Sequence, residues 1–280
     1  MNWPRVKWLL IAMLLAGNFL LLGLYVQRRV DADRSVRQES AAMENLLAGQ
    51  GVTLSPEARA GLLLSAPRLY VRRDDEREGL LAALWLGSAE RTEQGGRIVT
   101  YESPAGWAQF RGGGQFQVEW NPPRPPEGTP EEDAAALLAG AGFSSETAPV
   151  VRRTGADVEV TLSQRVNGLP VFGSSVRLRY GAEGLLSLDG QWLWDKALPV
   201  IGEADCPALG GALLRFADRM RLAGTPVSAV EEARLGYLLS VASADYVSLN
   251  PVWRLTCDGQ VFYMDPRTGE TVAQTTEERE

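Results

Sequence analysis

The chain has no histidine among its 280 residues. That absence removes Ser-His-Asp and Cys-His catalysis, histidine proton relays, and nearly every zinc site except an all-cysteine one. Cysteine is scarce as well. Cys206 and Cys257 are the whole supply, too few for a four-thiolate site. They are available for one disulfide if the domain lies outside the cell; otherwise they are two small buried thiols. Lysine occurs only as Lys7 and Lys196. A Ser-Lys hydrolase would have to use Lys196, but no Ser-x-x-Lys surrounds it, and Asp195-Lys196 reads as a surface pair. No catalytic residue, metal set or cofactor site emerges, so we expect a protein that is not an enzyme.

What the chain does have is one long apolar run, Trp8 to Val26, without a charged residue and with Asn18 as its one strongly polar side chain. As a helix it would be roughly 28 Å long, near the hydrocarbon thickness of a bilayer. Trp3, Trp8 and Tyr25 suit the two interfaces. The run exceeds a signal-peptide core and no A-x-A-like site follows it. Leu15-Ala16-Gly17 is followed by Asn18 where a lipoprotein would need Cys. We therefore expect an uncleaved single-pass anchor at 8–26, with 1–7 as a short cytoplasmic segment. Counted alone, basic residues on the two flanks leave the orientation open. At about 100° per residue, Ala12, Ala16 and Gly23 share one helix face, with Asn18 about a third of a turn away. Small residues in such a row let a second helix approach closely, so these four are candidate contacts for a membrane partner.

Hydrophobic content of 45% and charged content of 22% are globular values, so the remainder should bury a proper core. All 35 acidic residues follow the anchor, which leaves that part strongly acidic and argues against nucleic acid as a partner.

The expected fold class is α+β: the transmembrane helix, then antiparallel-sheet modules with packed helices. Residues 27–52 read as a helical stalk. Residues 53–121 read as a first α+β module, with helices near 58–64 and 74–86 and strands at 69–71, 97–102, 107–111 and 115–120. In the last of these, Phe116, Val118 and Trp120 alternate with Gln115, Gln117 and Glu119, a period that suits a sheet with one wet face. The prolines of 122–128 read as a stiff linker. Thr129-Pro130-Glu131-Glu132 is a helix start with the elements of a capping box. From 129 to 275 the pattern is helix then antiparallel meander, twice, before an acidic tail at 276–280. The acidic clusters Asp74-Asp75-Glu76 and Glu131-Glu132-Asp133 fall in first helical turns, where carboxylates favour the helix dipole. Gly112-Gly113-Gly114 precedes no helix and no Lys-Ser/Thr, which argues against a phosphate cradle. Trp192, Trp194 and Trp253 read as core aromatics before groove residues.

Two segments carry a resemblance. Gln164-Arg165-Val166-Asn167-Gly168-Leu169-Pro170-Val171 is similar to the Gln-x-x-x-Gly-x-Pro-Val/Ile strand of PepSY-type domains. Asn250-Pro251-Val252-Trp253, with Phe262 to Asp265 and Thr268-Gly269-Glu270, looks like the closing hairpin of that fold, so the C-terminal half is PepSY-like. An opening Met1-Asn2-Trp3, basic residues, one apolar helix and a large following domain resemble the YycH/YycI family, in its YycI branch. That resemblance implies an extracytoplasmic domain on a single-pass membrane protein. It also implies regulation of a cell-wall two-component system through a sensor histidine kinase (YycG/WalK-like), alongside a YycH-like protein. No catalytic motif comes with it. The alternative is an extracytoplasmic PepSY-type module that inhibits a peptidase or binds a cell-envelope ligand.

Overall fold

The computed structural model describes residues 41–62, 64–143, 147–194, 197–200, 206–241, 243 and 246–272. The expected anchor, with Ala12, Ala16, Asn18 and Gly23, lies outside them, as does the acidic tail. Among the described residues no helix is long and apolar enough to cross a membrane.

Helix α1 (41–49) comes first, then β1 (Thr53–Leu54), α2 (Pro56–Ala60) and β2 (Leu69–Arg72). Helix α3 (Asp75–Leu86) leads into β3 (Glu90–Gln94), β4 (Ile98–Ser103), β5 (Gly106–Phe110) and β6 (Gln115–Arg124). Helix α4 (Pro130–Gly140) leads into β7 (Val150–Thr154), β8 (Asp157–Val166), β9 (Leu169–Gly181) and β10 (Gly184–Gln191). The last elements are β11 (Leu198–Pro199), α5 (Leu209–Leu222), β12 (Ala229–Val241), β13 (Tyr246–Cys257) and β14 (Gln260–Met264). The result is a sheet-rich α+β fold.

Its largest part is an antiparallel sheet ordered β3-β4-β5-β6-β10-β9-β8-β7. The order is palindromic. Each half is one helix and four strands, and the halves meet last strand to last strand, β6 against β10. A pseudo-two-fold axis therefore passes between those two strands. A helix also precedes an antiparallel meander at α5 with β12–β14, and it is the α3 and α4 units that pair with each other. Both helices pack on one face, where Leu81, Trp85, Leu138, Val118, Leu188, Leu178 and Val160 share a single core.

Local chemistry sets these elements. Asp74 caps α3 by accepting from Arg77 N at 2.9 Å. Thr129 caps α4, and Glu132 returns a bond to Thr129 N, completing the capping box. The β8–β9 turn places Asn167 and Gly168 at φ 51° and 77°, the left-handed pair a two-residue hairpin needs. Pro122 and Pro123, expected in a linker, extend β6. They fall where its pairing with β10 jumps from Glu119–Ser187 to Arg124–Leu185, so the missing N–H groups interrupt no regular ladder.

The second sheet is built around β13. It pairs with β12 along most of its length, with β2 near its start and with β14 at its end; β1 joins β12 in parallel. Its core draws on both ends of the described chain: Leu47 of α1, Leu69, Leu213 and Phe216 of α5, Leu249 and Trp253. From residue 41 onward the expected stalk is thus part of the packed body, because Leu47 is fully buried there. The sheets are linked by parallel pairing of Tyr237 with Val171 and Leu238 with Phe172. The approach requires glycine at 236, where a Cβ would lie 2.5 Å from the Phe172 ring and 2.7 Å from Pro170 O.

Candidate binding face and the network beneath it

With α3 and α4 covering one side of the large sheet, alternate side chains of every strand project from the other. The pairing register puts them in transverse rows. One row runs Thr92, Thr100, Gln109, Gln117, Asp189, Arg177, Thr161 and Val150, one residue from each of the eight strands. The next includes Glu102, Trp107, Glu119, Ser187, Arg179 and Glu159. Over the four central strands the face forms a groove of ≈ 370 Å³.

The groove side chains are tied laterally. Arg111 Nε donates to Gln109 Oε1 at 2.7 Å, and Gln109 Nε2 donates to Thr100 Oγ1 at 3.2 Å. Gln117 donates to Glu119 at 2.9 Å, Arg179 to Asp189 at 3.1 Å, and Gln191 to Gly113 O at 2.8 Å. Arg177 Nε stands 4.0 Å from Glu159 Oε2, at the outer limit of an ion pair. The face is a mesh of amides, hydroxyls and guanidinium groups joined by hydrogen bonds, several of them open to water.

Beneath it lies a buried polar hub. Asp133, 1% exposed, accepts two bonds from Arg124 Nη2 at 2.6 and 2.7 Å, one from Glu127 N at 2.9 Å and one from the Tyr180 hydroxyl at 2.8 Å. Burial first, and then the bond to Asp133, push the Tyr180 phenol far above its ordinary value. The hub joins α4 to the last residue of β6 and to β9. A matching acid sits at the start of α3: Glu78 is buried and bidentate to Arg73, at 2.9 and 2.7 Å. Gln164, the first residue of the PepSY-like motif, is buried too. Its Nε2 donates to Leu193 O at 2.7 Å, while its Oε1 accepts from Ser174 Oγ and Leu193 N. That motif position ties β8 and β9 to the chain leaving β10.

The other sequence candidates separate. Cys206 and Cys257 remain buried thiols, not a disulfide. Cys206 sulfur accepts from Ala66 N at 3.2 Å, and burial pushes the Cys257 thiol up to about 12. Trp253 is fully buried, and Trp192 is 3% exposed and packs edge-on against Phe143. Trp194 is half-buried beside Phe116 and Phe143. Lys196 and Asp195 lie outside the described residues. Of the two acidic clusters, Asp74 and Glu132 act at helix starts, but Asp133 faces inward as the hub. No group of three or more Cys, Asp or Glu placed to hold a metal occurs among the described residues. The sequence reading found the wet face of β6 through its period of two. It did not find Arg177, Arg179 and Asp189, which join that face only through the β6–β10 pairing.

No family model matches the chain, and no curated protein matches it. Among solved structures it is similar to an uncharacterised protein from Eubacterium rectale ATCC 33656, with 11% identity and a TM-score of 0.45, covering 80% of this chain and 91% of that one. It is also similar to the Bacillus megaterium YpeB C-terminal domain, with 11% identity and a TM-score of 0.33, covering 73% of this chain and 100% of that domain. With both scores under 0.5, neither likeness carries an argument about what this chain does.

Proposed function

We propose that the chain is a membrane-anchored regulatory protein whose extracytoplasmic domain binds without catalysing. Its partner on this reading is the sensor histidine kinase of a cell-wall two-component system, as the resemblance to the YycH/YycI family implies. The observation that carries the binding reading is the groove on the large sheet, whose polar side chains are joined to one another by hydrogen bonds. The apolar run from Trp8 to Val26 supports the anchor, and the row Ala12, Ala16 and Gly23 supports a helix contact in the membrane. Two measurements test this. Protease added to intact protoplasts should remove everything beyond the anchor; full protection until lysis would reverse the orientation. Affinity capture with the full-length chain should retain the kinase. Replacing Ala12, Ala16 and Gly23 together with Leu should weaken that capture while membrane insertion stays normal, whereas undiminished capture would move recognition to the domain.

The second reading, a PepSY-type module that binds an envelope ligand, is favoured by the same groove. Its lining is polar, whereas the centre of a protein–protein contact is usually apolar and aromatic.

A further inference from the structure

We infer that the groove across β5, β6, β10 and β9 binds an acidic glycan: a chain of sugars bearing hydroxyl groups and carboxylates. The inference rests on the reading of this domain as an extracytoplasmic binding module, and not on the kinase as its partner. Three observations lead to it.

The first is the balance of side chains. Gln109, Gln115, Gln117 and Gln191 line the groove together with Ser175 and Ser187. An amide offers a donor and an acceptor in one plane, and a sugar hydroxyl both donates and accepts, so the two match without any charge. An apolar partner would leave these groups without their water and without replacement bonds, which is costly.

The second is charge. The whole chain carries −7, yet the groove lining holds three arginines, Arg111, Arg177 and Arg179, against two acids, Glu119 and Asp189. Asp189 is paired with Arg179 at 3.1 Å, whereas Glu119 takes only the neutral amide of Gln117 at 2.9 Å and keeps its charge. Arg177 reaches Glu159 only at 4.0 Å. Arg111 spends its Nε on Gln109, which leaves its terminal nitrogens for another acceptor. With Arg179 and Asp189 paired, Arg111 and Arg177 outnumber the one remaining acid of the lining, Glu119, and their two guanidinium forks are complementary to carboxylates spaced along a hydroxyl-rich chain.

The third is extent. Gln109, Gln117, Asp189 and Arg177 lie in one row across four neighbouring strands. Three inter-strand steps span about 14 Å. That suits an extended oligomer crossing the strands better than a single small molecule.

The test uses the full-length chain in nanodiscs, with a galacturonic acid hexamer as the acidic probe and maltohexaose as the neutral one, both followed by calorimetry. The acidic hexamer should bind saturably and more tightly than maltohexaose. Arg177→Gln should weaken it by about tenfold or more, the size of a lost bond to a charged group. Gln117→Ala should weaken both sugars. Arg152→Gln, on the same face but on the outer strand β7, should change neither. No saturable binding of the acidic hexamer overturns the proposal. So does an unchanged affinity in Arg177→Gln, or an equal loss in Arg152→Gln, which would indicate diffuse charge attraction. Kinase capture is measured on the same preparations. Intact capture without sugar binding would sink the glycan alone, and sugar binding without capture would sink the kinase reading alone. Loss of capture in Arg177→Gln without any sugar binding would make the groove a protein-docking face, also against the proposal.

Discussion

The two halves of the large sheet follow one plan, a capped helix and a four-strand meander, and each buries one carboxylate four residues past its helix cap. They hold that carboxylate differently. Glu78 follows Asp74 and is clamped by Arg73, with both side chains 4% exposed. Burial pushes the Glu78 carboxyl above its ordinary range, while the paired N–H groups of Arg73 pull it back. Arg73 has further support, from Asp75 at 3.0 Å and from Arg97 O, to which it donates at 2.7 Å. Asp133 follows Thr129 and is a hub instead: its oxygens serve Arg124, Glu127 and Tyr180 at once. Arg124 is 31% exposed and can turn to water. In the first half the arginine has alternatives; in the second half the carboxylate is what several groups depend on.

The comparison orders the expected losses. Asp133→Ala should cost the most, about 3–5 kcal/mol, the range for breaking a buried pair whose remaining groups lose their partner. Here the stranded groups are a buried phenol, a backbone N–H and half of a guanidinium. Glu78→Ala should cost less, about 2–3 kcal/mol, since Asp75 and the Arg97 carbonyl still face the buried Arg73. Denaturant melts of the two variants decide it. A larger loss for Glu78→Ala than for Asp133→Ala would break the distinction and make the Arg73 clamp the dominant element.

Tyr180→Phe sharpens the same comparison at lower cost. It removes one donor from Asp133 and leaves the other three bonds intact, so about 1 kcal/mol is expected. A loss approaching that of Asp133→Ala would show that the hub works as a cooperative unit, which double-mutant cycles of Tyr180 with Arg124 would then measure.

These differences mark how far the sequence could be read. Local signals survived well. Thr129 with Glu132, Asn167-Gly168, and the alternation along Gln115 to Trp120 each act within a few residues, and each element appears where its signal placed it. The burial of Trp253 followed from its position in a strand of the closing hairpin. Elements set by distant partners were not legible. Strand β3, Glu-Arg-Thr-Glu-Gln, is exposed at every residue, so it has no apolar alternation to announce it. It is a strand because β4 pairs with it, and its charges protect an open edge. The inward turn of Asp133 is of the same kind: in sequence it is a third acid at a helix start, like Glu131 and Glu132. Its role appears only when Arg124 and Tyr180 arrive from β6 and β9. The binding face was half visible for the same reason. The pairing of β6 with β10 sets glutamines from one half beside arginines from the other, and no local pattern encodes that pairing.

The smallest expected effect concerns how the two helices begin. Helix α3 has a one-way cap, in which Asp74 accepts from Arg77 N at 2.9 Å. Helix α4 has a reciprocal one, in which Thr129 Oγ1 accepts from Glu132 N at 3.3 Å and Glu132 Oε2 accepts from Thr129 N at 3.0 Å. The bond from the Thr129 backbone, and then that from its side chain, hold the Glu132 carboxyl below its ordinary value of 4.5. A carboxylate depressed in the folded state adds stability that is complete above its unfolded value and is lost as pH falls through the folded one. Glu132→Gln keeps an acceptor for Thr129 N but removes the charge. At neutral pH the variant should therefore melt slightly below the parent, and the gap should close as the pH is lowered beneath the ordinary carboxylate value. The group is exposed, so salt should shrink the gap as well. Thermal melts of both proteins across that acidic range measure it. A gap that persists unchanged at the acidic end would mean that the returning bond depends on amide geometry and not on charge. The caps of the two halves would then differ in shape alone.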